Sequence, residues 1–359
     1  MMRRTLLSLA AGAAVGGLTA SASAAQSLTG KTPCGCGRVD VHAHYLPEPY
    51  RKALSDAGLT RVDGGVPIPS WSAADHLATM ETLGVAVSML SISSPGLHFL
   101  QGGEVSRLAR SVNEAGAQIV ADNPTRFGLL AALPLPDVAA SLAEIDYAFD
   151  ELGVDGVALE TNAKGLYLGD PTFLPVFDAL ERRKAVVFLH PTSPECLSQI
   201  GMGFPGPLIE FPFDTARTAV SVIFSGVLRQ RPNIKVILPH GGGALPGLLS
   251  RIAMVSETPF ISPRPEGGAE EVLEQVRRLY FDLALAATPQ NLAALLAVTD
   301  ISHILFGTDY PFAPPPALAS NTDGFNKLMD GLSPAARKMV ESDNAAGLFP
   351  RLAAFLREG

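Results

Sequence analysis

The chain holds seven histidines, His42, His44, His76, His98, His190, His240 and His303, and four of them sit at or beside the ends of short apolar runs. Val39-Asp40-Val41-His42-Ala43-His44 places two imidazoles at i and i+2, which in a strand point to the same face and make a chelating pair. His190 ends a second run, His240 a third, and Asp309 closes Phe306-Gly307-Thr308-Asp309. Three imidazole nitrogens (His42, His44, His190) and one carboxylate (Asp309) suit one divalent transition metal. Zinc is the expected ion and manganese the alternative, with room for water or substrate if the coordination expands beyond four. Gly241-Gly242-Gly243 follows His240 and lets backbone or substrate come close. Taken singly, each residue has an ordinary structural explanation: a core histidine with its hydrogen bonds satisfied, or a turn aspartate. Their shared placement at run ends is what points to metal chemistry. His76 on an expected helix, His98 in a loop and His303 just before a run lack that placement and read as structural.

Eight runs must position these residues: Val39 to His42, Val85 to Ser91, Phe127 to Ala132, Gly156 to Glu160, Ala185 to His190, Lys235 to His240, Tyr280 to Leu283 and Ile304 to Asp309. They are mostly continuous rather than alternating, the pattern of parallel strands buried on both faces. Amphipathic stretches lie between them and have helix-start signals: Ser72 with Asp75 three residues on, Asp137, and Asp170 before Pro171. Alternating strand and helix implies a parallel sheet. From His44 to Asp309 each strand-helix step takes about 38 residues, against ~31 for a 250-residue barrel, so the expectation is a single α/β domain, a (β/α)8 TIM barrel with long loops at Leu46 to Ser70 and Pro191 to Pro212. A doubly wound sheet would want a glycine-rich turn after its first strand, where this chain has His42-Ala43-His44.

The 359 residues are 47% hydrophobic and 17% charged, which excludes disordered, collagenous and coiled-coil chains and permits a large core. A net charge of −8 without a basic stripe argues against nucleic acid as a partner. Residues 1–25 read as an export signal, with Arg3-Arg4, an uncharged Leu/Ala/Gly-rich stretch and Ala22-Ser23-Ala24 as the cleavage site. The paired arginines suit the twin-arginine route, although Thr5-Leu6-Leu7 matches it imperfectly. The expectation is an exported protein, periplasmic or secreted, with no stable membrane insertion after processing. Residues 26–37 form a linker containing Cys34-Gly35-Cys36, residues 38–359 are the barrel, and Cys196 is unpaired; three cysteines make no disulfide framework in a chain this long.

The ordered set of motifs resembles the amidohydrolase superfamily, and within it the aminocarboxymuconate-semialdehyde decarboxylase-like branch. Its carriers are Val39 to His44, His190-Pro191, Ser225-Gly226, His240-Gly241-Gly242-Gly243 with Arg251 eleven residues on, Phe306 to Phe312, and Asn344-Ala345-Ala346. Tyr167-Leu168-Gly169-Asp170-Pro171 and Glu210 to Thr215 are most similar to 6-methylsalicylate decarboxylase-like proteins. The resemblance implies that His42, His44, His190 and Asp309 hold the metal, that His240 is the catalytic acid/base, and that Arg251 reaches the neighbouring protomer's site in a homodimer. It departs from the dinuclear members, which use a strand-four lysine; here the fourth run ends at Glu160, and a single metal follows. It departs also from the muconate-semialdehyde enzymes, whose arginine before the Trp71 segment is replaced by Gly64-Gly65-Val66-Pro67.

The implied reaction is non-oxidative decarboxylation of a small aromatic, salicylate-type, or unsaturated carboxylic acid. It needs a proton at the carbon bearing the carboxylate, with the metal as Lewis acid and His240 or Asp309 in proton delivery. Trp71, Phe211 and Phe213 are candidate walls for an aromatic ring, and Arg251 a partner for the substrate carboxylate. The same residues could use metal-bound hydroxide to hydrolyse a lactone, ester or amide, and a binding protein that had lost catalysis would keep the metal alone.

Overall fold

The computed structural model describes residues 37–353. The expected export signal, Cys34 and Cys36, and residues 354–359 lie outside that span. Eight strands form the barrel in chain order: β1 (Arg38–His44), β2 (Val85–Ser91), β3 (Phe127–Ala132), β4 (Gly156–Glu160), β5 (Val186–His190), β6 (Lys235–Leu238), β7 (Tyr280–Asp282) and β8 (Ile304–Leu305), with a short antiparallel hairpin, Asn162–Ala163 and Leu166–Tyr167, outside it. Each pairs in parallel with the next. The chain closes on itself where the Val41 N–H donates to the Phe306 carbonyl at 3.1 Å and the His44 N–H to the Tyr310 carbonyl at 2.7 Å. This is the expected (β/α)8 barrel. The principal helices are α1 (Ala73–Leu83), α2 (Gly103–Asp122), α3 (Val138–Tyr147), α4 (Leu174–Arg182), α5 (Gly206–Phe224), α6 (Leu245–Ser256), α7 (Pro289–Leu296) and α8 (Pro315–Asp330).

Local chemistry sets the helix starts. The Ser72 hydroxyl accepts from the Asp75 N–H at the head of α1, and Asp137 accepts from the Ala140 N–H at the head of α3, satisfying donors that the first turn leaves open. Asp170 does the same for Thr172, with Pro171 at the first position of a short 3₁₀ turn before α4. The core has two parts. Val39, Val41, Val87, Met89, Leu130, Val186, Phe188, Ile237 and Leu305 form a cluster of strand residues, edged by Leu348, Phe349 and Leu352, which fills the barrel; a larger cluster lies between strands and helices.

Three runs end earlier than expected, β7 by one residue at Asp282 instead of Leu283 and two others by more. β6 stops at Leu238 instead of His240, and β8 at Leu305 instead of Asp309. Pro239 has no N–H to give a ladder, and His240 and Asp309 both hold left-handed backbone, φ 52° and 61°, which no strand accommodates. The expected long loops also contain structure. A helix at Glu48–Asp56 and a 3₁₀ turn at Asp63–Gly65 follow β1, and Leu197–Ile200 and the first turns of α5 follow β5. Phe211 and Phe213 are therefore helical, with Pro212 inside the helix between them.

Gly307 links fold to site. A Cβ there would lie 2.9 Å from the His42 Cβ, 3.2 Å from the Ala284 Cβ and 3.3 Å from the Asp282 Cβ, all short rigid stems. Gly307→Ala is expected to destabilise the protein by about 1–3 kcal/mol through overpacking. Urea unfolding followed by circular dichroism would show a lower midpoint with an unchanged slope; an unchanged midpoint would mean that the seam is looser than these distances.

Candidate metal and catalytic site

His42 and His44 end β1, His190 ends β5, and Asp309 sits on the turn after β8. One ligand atom from each of these four residues lies within 4.8 Å of the others. The Asp309 Oδ1 stands 3.2 Å from His44 Nε2 and 3.5 Å from His42 Nε2. Both histidines are wholly buried, and neither Nε2 makes a hydrogen bond. Two buried, unpartnered imidazole nitrogens facing one carboxylate oxygen are costly unless a cation satisfies them. The donor set therefore fits a divalent metal held by neutral imidazoles and a carboxylate.

The opposite edges of the rings are fixed. His42 Nδ1 is 2.9 Å from Asp282 Oδ2, and His44 Nδ1 is 3.0 Å from Ser91 Oγ. A partner at Nδ1 leaves Nε2 free for a metal and sets the ring's orientation. Ser93 Oγ stands 3.3 Å from His190 Nε2, the Ser94 N–H donates to His190 Nδ1 at 3.4 Å, and Glu160 Oε2 lies 3.5 Å from the same nitrogen.

Two aspartates outside the expected ligand set organise it. Asp40 accepts from the His42 N–H at 3.0 Å, the Thr308 N–H at 3.1 Å and the Thr308 hydroxyl at 2.6 Å. It thereby ties the start of the Asp309 turn to β1. Asp282, wholly buried at the end of β7, divides its two oxygens. Oδ2 holds His42, while Oδ1 accepts from the N–H groups of His240 at 3.1 Å and Ala284 at 2.9 Å. Both carry a sequence signal: Asp282 is an acid inside the seventh apolar run, near its carboxyl end, and Asp40 stands two residues before His42.

His240 completes the constellation beside the metal cluster, its ring 4.8 Å from that of His42. Its Nδ1 lies 2.9 Å from the Ala284 carbonyl. A carbonyl only accepts, so Nδ1 carries the proton and Nε2 is left to exchange one. The glycines after it let the chain pass tightly under α5: a Cβ on Gly243 would fall 2.4 Å from the Pro212 carbonyl oxygen, to which the Ala244 N–H donates.

Charge in the site is uneven. Burial opposes protonation of His42, but Asp282, followed by Asp309 and Asp40, outweighs it and lifts its pKa to about 9. Burial wins at His44, whose pKa drops to about 3 despite Asp309. Burial, reinforced by His42, also holds His240 below the ordinary imidazole value. Asp309 moves well below the usual carboxylate range: burial works against this, and His44, His42 and His240 overcome it.

Among the described residues, the other expected site residues make no hydrogen bond or ring contact with this cluster. Trp71 is buried, its indole N–H donates to His76 Nδ1 at 3.2 Å, and its ring packs edge-on to Tyr45. Phe211 is buried, with Cζ 3.3 Å from the position a Cβ on Gly64 would take, so it supports the loop after β1. Phe213 is 41% exposed on α5, and Arg251 is exposed on α6. His76 is a structural histidine as expected, bridging Trp71 and the Ser88 hydroxyl.

Replacing Asp282 with Asn leaves the shape and removes the charge that orients His42. Metal affinity is expected to fall about 10- to 100-fold, measured by chelator competition, with circular dichroism unchanged; undiminished affinity would free Asp282 from this role. Metal must also displace the proton that the metal-free site holds on His42. Wild-type affinity should therefore rise with pH, by up to about tenfold per unit below pH 9, and a flat profile between about pH 6 and pH 8 would contradict that competition.

With fold and site in place, comparison with known proteins is direct. An amidohydrolase family model matches residues 39–351. A 6-methylsalicylic acid decarboxylase from Penicillium expansum is 38% identical over 324 residues, 89% of this chain and 98% of that protein. A crystal structure described as amidohydrolase II superposes with a TM-score of 0.77 at 31% identity, covering 87% of this chain and 99% of that one. The dihydroxybenzoic acid decarboxylase of a Polaromonas species, solved with manganese and 2-nitroresorcinol, shares the fold with a TM-score of 0.75 at 23% identity, over 88% and 97% of the two chains. From its first barrel strand to its last helix, this chain belongs to the amidohydrolase family.

Proposed function

We propose that the protein is a metal-dependent, non-oxidative decarboxylase of a small aromatic acid of the salicylate type. The carrying observation is His240, locked by the Ala284 carbonyl into the tautomer that frees Nε2 and set beside a buried donor set for one metal ion. Full-length similarity to a 6-methylsalicylic acid decarboxylase supports the choice of reaction.

In this reading His42, His44, His190 and Asp309 hold the metal, zinc as the first expectation and manganese as the alternative. The ion supplies Lewis-acid stabilisation of negative charge on the substrate oxygens. His240 enters neutral, because burial and His42 disfavour its charged form. It takes the substrate's ortho-hydroxyl proton at Nε2 and returns it to the ring carbon that bears the carboxylate. A carbon–hydrogen bond forms from ring electrons, the carbon–carbon bond then breaks, its electron pair restores the ring, and carbon dioxide departs. Asp282 keeps His42 and His240 in a fixed relation while this happens.

Metal-loaded wild type should release carbon dioxide from salicylate-type acids, with kcat reduced by about 10²- to 10⁴-fold in His240→Ala at undiminished metal content. His42→Ala should lose metal as well as activity. Inert aromatic acids together with rapid lactone cleavage would assign the site to metal-assisted hydrolysis instead.

The proposal extends to a homodimer in which Arg251 reaches the neighbouring site. Arg251 is exposed on α6, and Met254 on the same helix and Phe260 just beyond it are 64% and 78% exposed, apolar surface that a second protomer would cover. Sedimentation should give a dimer, and Arg251→Ala should raise KM; a monomer with full activity would end this part of the reading. Export is proposed from residues 1–25, and an unprocessed N-terminus on protein recovered from the producing cells would count against it.

A further inference from the structure

His190 is held less directly than the other two candidate ligand histidines. His42 and His44 each have a side-chain partner within 3.0 Å of Nδ1, whereas the polar contacts of the His190 ring with its surroundings run from 3.3 to 3.5 Å. Its two nitrogens meet Ser93 Oγ and the Ser94 N–H, both in the loop after β2. The ring's orientation therefore depends on how that loop is seated against the chain that follows β5.

One carboxylate sets that seating. Asp63 stands in the 3₁₀ turn after β1, and its Oδ2 accepts from the Ser94 hydroxyl at 2.8 Å, the Thr192 hydroxyl at 2.9 Å and the Ser193 N–H at 2.6 Å. The first donor belongs to the residue whose N–H touches the ring, and the other two follow His190 by two and three residues. Hydrogen bonds to an ionised carboxylate are roughly twice as strong as neutral ones, and here three converge on one oxygen. The turn that carries Asp63 has anchors of its own. The Gly64 N–H donates to Oδ1 at 2.7 Å, the Val62 N–H to the Val66 carbonyl at 2.8 Å, and a Cβ on Gly64 would lie 2.5 Å from Pro207 Cδ on α5. A second carboxylate reaches Thr192 by another route: the Thr192 N–H donates to the Thr161 hydroxyl at 3.0 Å, which donates to buried Asp214 on α5, where Tyr167 and Asn162 also donate. The motifs around Tyr167 and Asp214 thus meet in one network that ends at Thr192. We propose that Asp63 is a positioning residue for His190, acting through Ser94 and Thr192, so that metal affinity depends on a carboxylate that bonds to none of the four ligands. The effect on affinity rests on the metal-site reading, whereas the His190 ring can be observed without metal.

Asp63→Ala removes the shared acceptor, Asp63→Asn keeps one acceptor oxygen without the charge, and Thr192→Val removes a single donor at nearly constant shape. For each variant, zinc and manganese affinity is measured by chelator competition, the histidine ring resonances of the metal-free protein by NMR, and stability by urea unfolding. Asp63→Ala is expected to weaken metal binding about tenfold, the lower end for outer partners of a metal ligand. It should also shift the His190 ring resonances, assigned by their loss in His190→Asn, and leave those of His76 in place. Asp63→Asn and Thr192→Val should give smaller changes of the same kind, and they decide the matter if Asp63→Ala does not fold. Adding Thr192→Val to Asp63→Ala should weaken binding no further, because both remove the same contact. Full metal affinity with unmoved His190 resonances in Asp63→Ala would overturn the proposal whatever the urea midpoint, since Asp63 would then only staple loops together. Additive losses in the double variant would overturn it too. A wild type that binds no metal, but whose His190 resonances respond to Asp63→Ala, would sink the metal reading and leave the positioning role standing.

Discussion

The seam where β1 meets β8 closes the barrel and brings three of the four candidate metal ligands together in one step. The His42 carbonyl accepts from the Thr308 and Asp309 N–H groups, and Asp40 takes both the backbone and the side chain of Thr308. The hydrogen bonds that make the sheet continuous are thus the ones that bring Asp309 to His42 and His44. No separate loop has to find the site after folding. The seam also explains the tight packing at Gly307, since β8 can approach His42 only where no side chain intervenes.

Around this seam the protein spends stability on order. Asp40, Asp282, His42 and His44 are all essentially removed from water, and buried charge is costly unless every lone pair and proton is matched. Asp40 and Asp282 each accept several donors, so the cost is met by geometry that leaves little freedom. The Nε2 atoms of His42 and His44 are left without a hydrogen bond on the side facing Asp309, which concentrates the unmet electrostatic demand at one point, where a cation would answer it.

Much of this was legible in the sequence because parallel strands buried on both faces leave continuous apolar runs, and polar residues at their carboxyl ends stand out. Val85–Ser91, Phe127–Ala132 and Gly156–Glu160 could be read to the residue. The ends of β6 and β8 could not, because the left-handed backbone at His240 and Asp309 is imposed by tertiary contacts that a linear pattern does not carry. Pro212 hid the start of α5 in the same way: proline reads as a break, yet here the helix runs through it and its carbonyl is held by Ala244. Asp282 escaped notice since a single acid after Tyr-Phe looks like any strand end, and only the distances to His42 and His240 reveal that it serves both. Trp71 reads as a candidate ring wall because loops after strands carry binding groups, and its indole N–H bond to His76 is a tertiary contact that no run pattern carries.

The left-handed backbone at His240 and Asp309 has a consequence for how such a barrel ages in evolution. A residue with a side chain in that region is a standing load, of order 1 kcal/mol or more at each position, which glycine would relieve. Selection for a stable barrel alone would drift both positions toward glycine or asparagine. An imidazole and a carboxylate at these two turns therefore carry a backbone cost that a stable barrel alone would not ask for, and a relative with glycine at both would be the one to suspect of keeping the scaffold without the reaction.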